Sequence, residues 1–216
     1  HPIPASSYHQ SWAMAPAFRN GRDYGGTVLP LGPDWGGPLF LSQYPFLGID
    51  PRGLRDAYAD YGQQARAHAL VNRHHCLTNP GGWAGYGPDC WGLTASDDPG
   101  GYVAHSPTED TGTITPTAAL GSFPFAPAEA MPVLRHLHDD LGERIWGEAG
   151  FVDAFCPARD WVAESRLAID QAPIVIGLEN YRSGLVWRLV SGRPEIQRGL
   201  RALGFTAPYL VEPAIA

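Results

Sequence analysis

The sequence predicts an all-α protein whose helices are joined by long loops. Three observations support this class: apolar residues recur at helical spacing, no segment alternates like a sustained strand, and loop-forming residues are abundant. The chain has 216 residues, of which 26 are Gly and 21 are Pro. Paired helices with long loops favour an α/α toroid, in which the loops at one rim build the binding site.

Length and composition predict one domain over residues 1–216. Hydrophobic residues make up 44 % of the chain, which is enough for a core, and the formal net charge is −7. This charge argues against nucleic acid and anionic membranes as partners, because both require a basic patch. No stretch approaches the ~18 apolar residues of a membrane span. The chain begins at His1, so it is expected to be processed or a fragment, and its N-terminus does not reveal its localisation.

The first half of the chain contains one clear amphipathic helix. Residues 1–49 are rich in Gly, Pro and aromatics, with a short helix predicted near Ser6–Ala13. Asp50 and Pro51 then predict the N-cap and first turn of a helix that reaches about Cys76. Its apolar positions are Leu54, Tyr58, Tyr61, Ala65 and Ala69.

The second half contains the other helix signals. Helices are predicted over residues 115–120, 127–146, 171–190 and 194–203. A Thr-Pro pair opens the first of these helices, and Gly204 ends the last. Asp170 precedes the most apolar helix and favours an N-cap role there. Residues 147–160 are predicted to be a loop.

The connection from Leu77 to Ile114 predicts a binding-site loop. A loop of about forty residues in a compact domain is usually functional or disordered, and disordered segments are poor in aromatics. This one carries Trp83, Tyr86, Trp91 and Tyr102. Aromatic rings stack on sugar C–H faces while carboxylates bind sugar hydroxyls. Asp98 predicts an Asx-turn with an exposed carboxylate, which leaves Asp97 as the better ligand contact.

Two alternatives stay open for Glu179 and Arg182. The helix that carries them is apolar almost all round and is therefore predicted to be buried. A buried Glu and a buried Arg must either pair or face a cavity. The two residues are therefore a structural ion pair or part of a site wall.

Cysteines and histidines do not show a metal-binding pattern. The cysteines are odd in number and widely spaced, which predicts buried free thiols at Cys76, Cys90 and Cys156. The histidine groups lack the i, i+4 spacing that places two ligands on one helical face; they are His74-His75 and His136-x-His138. No cofactor is expected, and a metal-dependent hydrolase is the weakest alternative.

Five segments occur in order along the chain: Leu-Thr-Ala-Ser-Asp (93–97), Gly-Thr-Ile-Thr-Pro-Thr-Ala-Ala-Leu (112–120), Gly-Phe-Val-Asp-Ala-Phe (150–155), Ala-Ile-Asp-Gln-Ala-Pro-Ile (168–174) and Glu-Asn-Tyr-Arg-Ser-Gly-Leu-Val-Trp (179–187). Together they resemble the glucoamylase-like domain of bacterial glycoside hydrolases, which include endo-β-1,2-glucanases and relatives in cyclic β-1,2-glucan synthases. The resemblance runs from His1 to about Phe205. It implies an (α/α)6 toroid, endo-type inverting hydrolysis of a β-1,2-glucan, and a periplasmic or secreted location.

The resemblance also implies that the chain is the C-terminal half of the toroid. The family's catalytic carboxylates, including the general-acid Glu, lie upstream of the segment that matches His1–Pro4. This chain would then supply mainly substrate-binding residues, with the N-terminal half as its partner. Ser42 and Cys156 stand where the family usually has His and Asn, which weakens the expectation of sugar contacts at these positions.

The resulting candidates are a set of carboxylates and their neighbours. The in-chain catalytic candidates are Asp97, Glu179 and Asp170. The substrate-binding candidates are Tyr44, Arg52, Trp91, Ser96, Asp97, Tyr102, Thr115, Gln171, Glu179, Asn180 and Arg182. The expected ligand is an oligo- or polysaccharide. A non-catalytic carbohydrate-binding module or inactive remnant of the fold, and a transglycosylase of cyclic β-1,2-glucan synthesis, remain alternatives.

Overall fold

The computed structural model describes residues 3–210, so His1 and Pro2 of the expected His1–Pro4 match lie outside it. The α-helices are α1 (Phe40–Gln43), α2 (Pro45–Gly48), α3 (Tyr61–Thr78), α4 (Pro116–Leu120), α5 (Pro127–Arg135), α6 (Gly142–Ile145), α7 (Ala168–Ser183), α8 (Leu185–Ser191) and α9 (Pro194–Ala202). The strands are β1 (Arg19–Tyr24), β2 (Thr27–Leu31), β3 (Ala95–Asp98), β4 (Gly101–Ala104), β5 (Trp146–Gly147), β6 (Gly150–Phe151), β7 (Phe155–Cys156) and β8 (Trp161–Val162).

The fold is mostly helical, but the prediction that it lacks strands is wrong. Each of the four strand pairs β1–β2, β3–β4, β5–β6 and β7–β8 forms an antiparallel two-stranded sheet. These strands are two to six residues long, which is too short for alternation to be visible in the sequence. One pair, β3–β4, lies inside the connection that was predicted to be irregular.

Helix α3 begins later than the sequence predicts. Its N-cap is Asp60, whose Oδ1 accepts a hydrogen bond from the Gln63 backbone N–H at 3.0 Å. The expected N-cap, Asp50, instead binds the Arg52 guanidinium. Gly53 has a positive φ of 70°, a conformation that interrupts a helix. Turns therefore replace the predicted helix before residue 61.

The other predicted helices are present but interrupted. Between α5 and α6 the chain forms a π-helical segment, His136–Asp140. Gly184, with φ of 64°, separates α7 from α8. Asp170 is not the N-cap that the sequence favours, because α7 already begins at Ala168. The short helix opened by Thr115 and Pro116, and the last helix, are confirmed.

The main hydrophobic core lies where the long connection after α3 packs against α4, α5 and α7. Because α3 ends at Thr78, this connection covers residues 79–114 and is called the 79–114 connection below. Trp91, Leu93 and Ile114 of this connection are completely buried, together with Leu120 of α4. The connection is therefore a folded part of the domain. The three cysteines are buried and free, as predicted.

Helices α7 and α8 expose apolar side chains, contrary to the prediction that this region is buried all round. Val175 is 65 % exposed and Leu189 is 63 % exposed, and Ile169 and Leu185 are also exposed. The buried face of α7 is formed by Asp170, Pro173, Ile174, Gly177 and Asn180. Within residues 3–210, no helix combines the length and apolar character needed to cross a bilayer.

Candidate active site

Three carboxylates from separate elements meet beside the β3–β4 hairpin. Asp97 belongs to β3, Asp153 follows β6, and Asp170 lies in the first turn of α7. The Asp97 backbone N–H donates to Asp153 Oδ2 at 2.7 Å, and the carboxyl groups of Asp153 and Asp170 hydrogen-bond each other. We refer to these three residues as the carboxylate cluster.

The local fold fixes each member of the cluster. In β3, Ser96 and Asp98 point inward and Asp97 points to the opposite side, as the period of two requires. Asp153 is flanked by the buried Val152 and Ala154, and its backbone N–H donates to the Ser165 carbonyl at 3.0 Å. The Ser165 hydroxyl in turn donates to Asp97 Oδ2.

The Asp153–Asp170 pair retains a proton near neutral pH. Burial raises the pKa of Asp170 to about 7, and its hydrogen bond to Asp153 and the charges of Asp153 and Asp97 act in the same direction. Burial also raises the pKa of Asp153. Asp153 Oδ1 and Asp170 Oδ2 are buried without a donor group. Two carboxyls can hydrogen-bond only when one carries a proton, so this pair can accept or release one.

Two tyrosines border the carboxylate cluster. Tyr102 is the cross-strand partner of Asp97 and is 61 % exposed. Tyr44 lies between α1 and α2, and burial, followed by the charge of Asp170, raises its pKa to about 12. The same two causes raise the pKa of Tyr102. Both phenols therefore stay protonated at neutral pH, and an exposed ring beside acids suits a sugar ligand.

Other predicted contact residues support the cluster from inside the protein. Gln171 Nε2 donates to the Phe151 carbonyl at 2.9 Å. Ser96 and Thr115 are completely buried and hydrogen-bond each other at 2.9 Å. Trp91 is also completely buried, which contradicts the expectation that its ring stacks on a sugar. It belongs to the core because the loop around it packs against α4.

Glu179 lies away from the carboxylate cluster. It follows Asp170 by nine residues on α7, which corresponds to about 13 Å along the helix axis. Glu179 Oε2 accepts from Arg182 Nη2 at 2.7 Å, and its Oε1 accepts from the Ser183 hydroxyl at 2.5 Å. Of the two alternatives for Glu179 and Arg182, the structure therefore shows the ion pair.

Arg52 and Asn180 join α2 to the start of α8. Asn180 Nδ2 donates to the Leu47 carbonyl at 3.0 Å, and its Oδ1 accepts from the Trp187 backbone N–H at 3.0 Å. Arg52 lies over the Trp187 ring at 4.8 Å and binds both oxygens of Asp50. The polar groups of Arg52 and Asn180 therefore bind other parts of the protein.

Asp153 is not among the site residues that the sequence predicts. Its neighbours in the chain are apolar, so spacing alone gave no sign of a partner. One signal was available: an acidic residue inside the otherwise apolar segment 151–155 must be paired or must face a cavity when the segment is buried. The contact with Asp97 spans 56 positions, which local patterns do not reveal.

Three histidines of the two candidate groups each pair with a single carboxylate. His75 Nε2 lies 2.8 Å from Asp110 Oδ2, His136 is bound to Asp140, and His138 to Asp139. Across residues 3–210, no three His, Cys, Asp or Glu side chains are arranged to hold a metal ion.

A cavity of about 570 Å³ lies elsewhere, between the N-terminal segment and α1, α2, α3 and α9. Its wall is mostly apolar, and none of the three clustered carboxylates lines it. Two of its polar side chains bind other protein groups: Gln64 binds the Leu31 backbone, and His68 binds Ser42 and the Gly37 carbonyl. The side chains of Gln64 and His68 are therefore not available to a sugar in this cavity.

Comparison with known proteins decides the family. The sequence pattern of the family described as "Putative glucoamylase" matches residues 1–194. The chain belongs to this glucoamylase-like family. The matched region contains Asp97, Asp153 and Asp170.

Solved and curated relatives of the glucoamylase-like chain are longer than the chain itself. A Bacteroides uniformis protein of the same description is 55 % identical, with a TM-score of 0.96 over 97 % of this chain and 52 % of that chain. An endo-β-1,2-glucanase from Chitinophaga pinensis, solved with sophorotriose and glucose, is 46 % identical, with a TM-score of 0.93 over 97 % of this chain and 51 % of that chain. An exo-β-1,2-glucooligosaccharide sophorohydrolase of Parabacteroides distasonis is 40 % identical over 92 % of this chain and 28 % of its own length. The chain therefore spans about half of the two solved relatives.

Proposed function

We propose that this chain is part of a β-1,2-glucan hydrolase in which the Asp153–Asp170 pair exchanges a proton with the reacting groups. The observation that carries the proposal is the close approach of Asp153 and Asp170 beside the exposed ring of Tyr102, where burial raises the pKa of Asp170 to about 7. General acid–base catalysis is most efficient when the pKa of the group lies near the working pH. The names of the two β-1,2-glucan-degrading relatives support the substrate class.

The pair acts as one of two catalytic carboxyl groups. Glycoside hydrolysis requires two, separated by ~5–5.5 Å for retention or ~6.5–9.5 Å for inversion. Carboxyls that hydrogen-bond each other lie closer, with oxygens about 3 Å apart, so they cannot flank a glycosidic bond on both sides. The second carboxyl comes from a segment upstream of this chain.

The same proposal includes the architecture. The chain forms the C-terminal half of an (α/α)6 toroid, and the N-terminal half covers the exposed apolar residues of α7 and α8. Two observations support it: solved relatives are about twice as long, and Val175 and Leu189 are each more than 60 % exposed. Endo-type cleavage with inversion is the finer part of the proposal. The 46 % identity to the endo-β-1,2-glucanase supports the endo mode, and inversion is what the family resemblance implies.

The test measures turnover of β-1,2-glucan by the product of the full open reading frame that encodes this chain. Asp170→Asn and Asp153→Asn are each expected to lower kcat by about 100-fold or more, which corresponds to ~2.7 kcal/mol. The matched control is Asp160→Asn, because Asp160 is 86 % exposed and pairs only with Arg144 at the surface. Unchanged kcat in both site variants would remove the pair from the reaction.

Product analysis separates the remaining functions. Inversion is expected to release the α-anomer first, which NMR detects before mutarotation, and endo cleavage is expected to give a range of oligosaccharides. Cyclic products would instead indicate transglycosylation. Binding of β-1,2-glucooligosaccharides without turnover would indicate a carbohydrate-binding remnant.

A further inference from the structure

We propose that Asp98 and His105 form a buried positioning pair that holds the β3–β4 hairpin in the register required by Asp97 and Tyr102. Its catalytic consequence rests on the proposed function, whereas its structural part does not. The sequence predicted an exposed Asx-turn at Asp98. The turn is present, since Asp98 Oδ1 accepts from the Gly100 backbone N–H at 3.1 Å, but the side chain is only 6 % exposed.

The Asp98 carboxylate accepts hydrogen bonds from several donor groups. Its Oδ2 accepts from the hydroxyls of Thr111 at 2.7 Å and Thr113 at 2.8 Å, and lies 3.3 Å from His105 Nε2. Arg159 Nη1 lies 3.6 Å from Oδ1. These hydrogen bonds outweigh burial and lower the pKa of Asp98 to about 2. Through these hydrogen bonds the turn between β3 and β4 is connected to Thr111 and Thr113, which follow β4 in the chain.

His105 extends this network to the opposite end of β3. Its ring is completely buried, Nε2 donates to Asp98, and Nδ1 lies 3.1 Å from the Ser96 hydroxyl. Ser96 also accepts a hydrogen bond from Thr115 at the N-terminus of α4. The His105 imidazole therefore hydrogen-bonds to both inward-facing residues of β3, Ser96 and Asp98, and holds them in place.

Fixing the inward residues determines where the outward ones point. Because side chains alternate along a strand, a slip of one residue would turn Asp97 into the core and Asp98 toward the site. The present register pairs Asp97 with Tyr102 across the hairpin and directs the Asp97 amide to Asp153 Oδ2. Asp98 and His105 thus position Asp97 within the cluster and Tyr102 beside it, although neither side chain hydrogen-bonds to a member of the cluster.

The same connection contains a matched comparison site. Asp110 accepts from the Tyr86 hydroxyl at 2.6 Å and the Gly112 backbone N–H at 3.0 Å, and lies 2.8 Å from His75 Nε2. This is the same chemistry of buried carboxylate, histidine, hydroxyl and turn amide. None of its partners belongs to the β3–β4 hairpin. Loss of Asp110 is therefore expected to weaken the connection without changing the register at Asp97.

The experiment compares Asp98→Asn and His105→Ala with Asp110→Asn, in the product of the full open reading frame. Amide hydrogen exchange is expected to become at least tenfold faster at Asp97 in the first two variants and to stay unchanged there in Asp110→Asn. In β-1,2-glucan hydrolysis, kcat is expected to fall at least tenfold in the first two, with KM within threefold of the wild-type value. His105→Gln, whose side-chain amide supplies a donor toward Asp98, is expected to recover kcat to within threefold.

Three results would overturn the inference. They are unchanged exchange at Asp97 in Asp98→Asn, an equal loss of kcat in Asp110→Asn, and no recovery in His105→Gln when that variant is folded. If the wild-type protein does not hydrolyse β-1,2-glucan, the proposed function fails. The exchange comparison then still decides whether Asp98 and His105 set the hairpin register.

Discussion

At the scale of single residues, the proton shared by Asp153 and Asp170 is proposed to act in catalysis and also makes the stability of the fold depend on pH. The pKa of Asp170 in the folded protein is about 7, well above its ordinary value of 3.8. The folded state therefore binds this proton more tightly than the unfolded state. This contribution to stability is complete below about pH 4 and is lost as the pH rises through 7.

We predict that Asp170→Asn removes this pH dependence. Between pH 4.5 and pH 8 the wild-type protein is expected to lose roughly 2 kcal/mol of unfolding free energy relative to the variant, at ~1.4 kcal/mol per pKa unit with allowance for relaxation. Urea denaturation at the two pH values measures the difference. Parallel behaviour of wild-type and Asp170→Asn proteins would show that Asp170 ionises normally.

Asp98 depends on pH in the opposite direction. Its pKa of about 2 lies below the ordinary value of 3.8. Its contribution is therefore present above the ordinary pKa and is lost as the pH falls toward 2. Adjacent aspartates in one strand thus serve different purposes, because Asp98 is surrounded by donors while Asp97 faces other carboxylates.

At the scale of elements, the contact of the 79–114 connection with α4 depends on Gly92. Its φ is +134°, and an added Cβ would lie 2.9 Å from Ala118 Cβ and 3.0 Å from the Ala119 nitrogen. A side chain there is both strained and overpacked. The close approach lets Trp91 and Leu93 enter the core on either side.

We predict that Gly92→Ala destabilises the protein by roughly 3–5 kcal/mol, as the sum of backbone strain and overpacking. The matched control is Gly82→Ala, because Gly82 also has a positive φ of 65° but no atom within 4 Å of an added Cβ. The control is expected to cost only about 1 kcal/mol. Thermal unfolding measures both values, and equal losses would contradict the packing argument.

The elements that could be predicted are those whose signal is local. The helices at Pro116, Pro127 and Pro194 have a proline in the first turn and apolar residues at helical spacing. Hairpins with two-residue strands, such as β5–β6, have no period to detect. Helix α3 starts later than predicted because Gly53 and the following turns override an N-cap signal at Asp50.

The site residues that could be predicted are likewise those with a local signal in the sequence. Asp97 and Asp170 could be nominated from residue type and context, and both belong to the carboxylate cluster. For Asp153 the sequence offers only an acid inside an apolar segment, because its partners are distant along the chain. The expected sugar contact of Trp91 conflicts with its complete burial, because composition does not distinguish a ring on a loop surface from one that packs in the core.

At the scale of the whole molecule, the exposed apolar residues of α8 test the half-toroid proposal. Leu185 and Leu189 are four residues apart on one helical face and are 41 % and 63 % exposed. An isolated chain that presents such a surface is prone to self-associate. In a complete toroid, the same residues would be covered.

We predict opposite effects of the double variant Leu185→Gln/Leu189→Gln in two contexts. In the isolated chain it is expected to reduce self-association, measured by sedimentation velocity, while helicity is unchanged. In the product of the full open reading frame it is expected to lower the unfolding free energy by about 2 kcal/mol or more, because each buried leucine contributes ~1.5–3 kcal/mol. Equal stability there would contradict burial of this surface by an N-terminal half.

The buried free cysteines provide a chemical measure of local opening without any engineered probe. Burial raises the pKa of Cys76 in α3 and Cys90 in the 79–114 connection to about 12 each. Their thiols therefore react with a maleimide only after the surrounding segment opens to solvent. The labelling rate of each cysteine, followed by peptide mass spectrometry, compares the opening of the helix with that of the connection in one native sample.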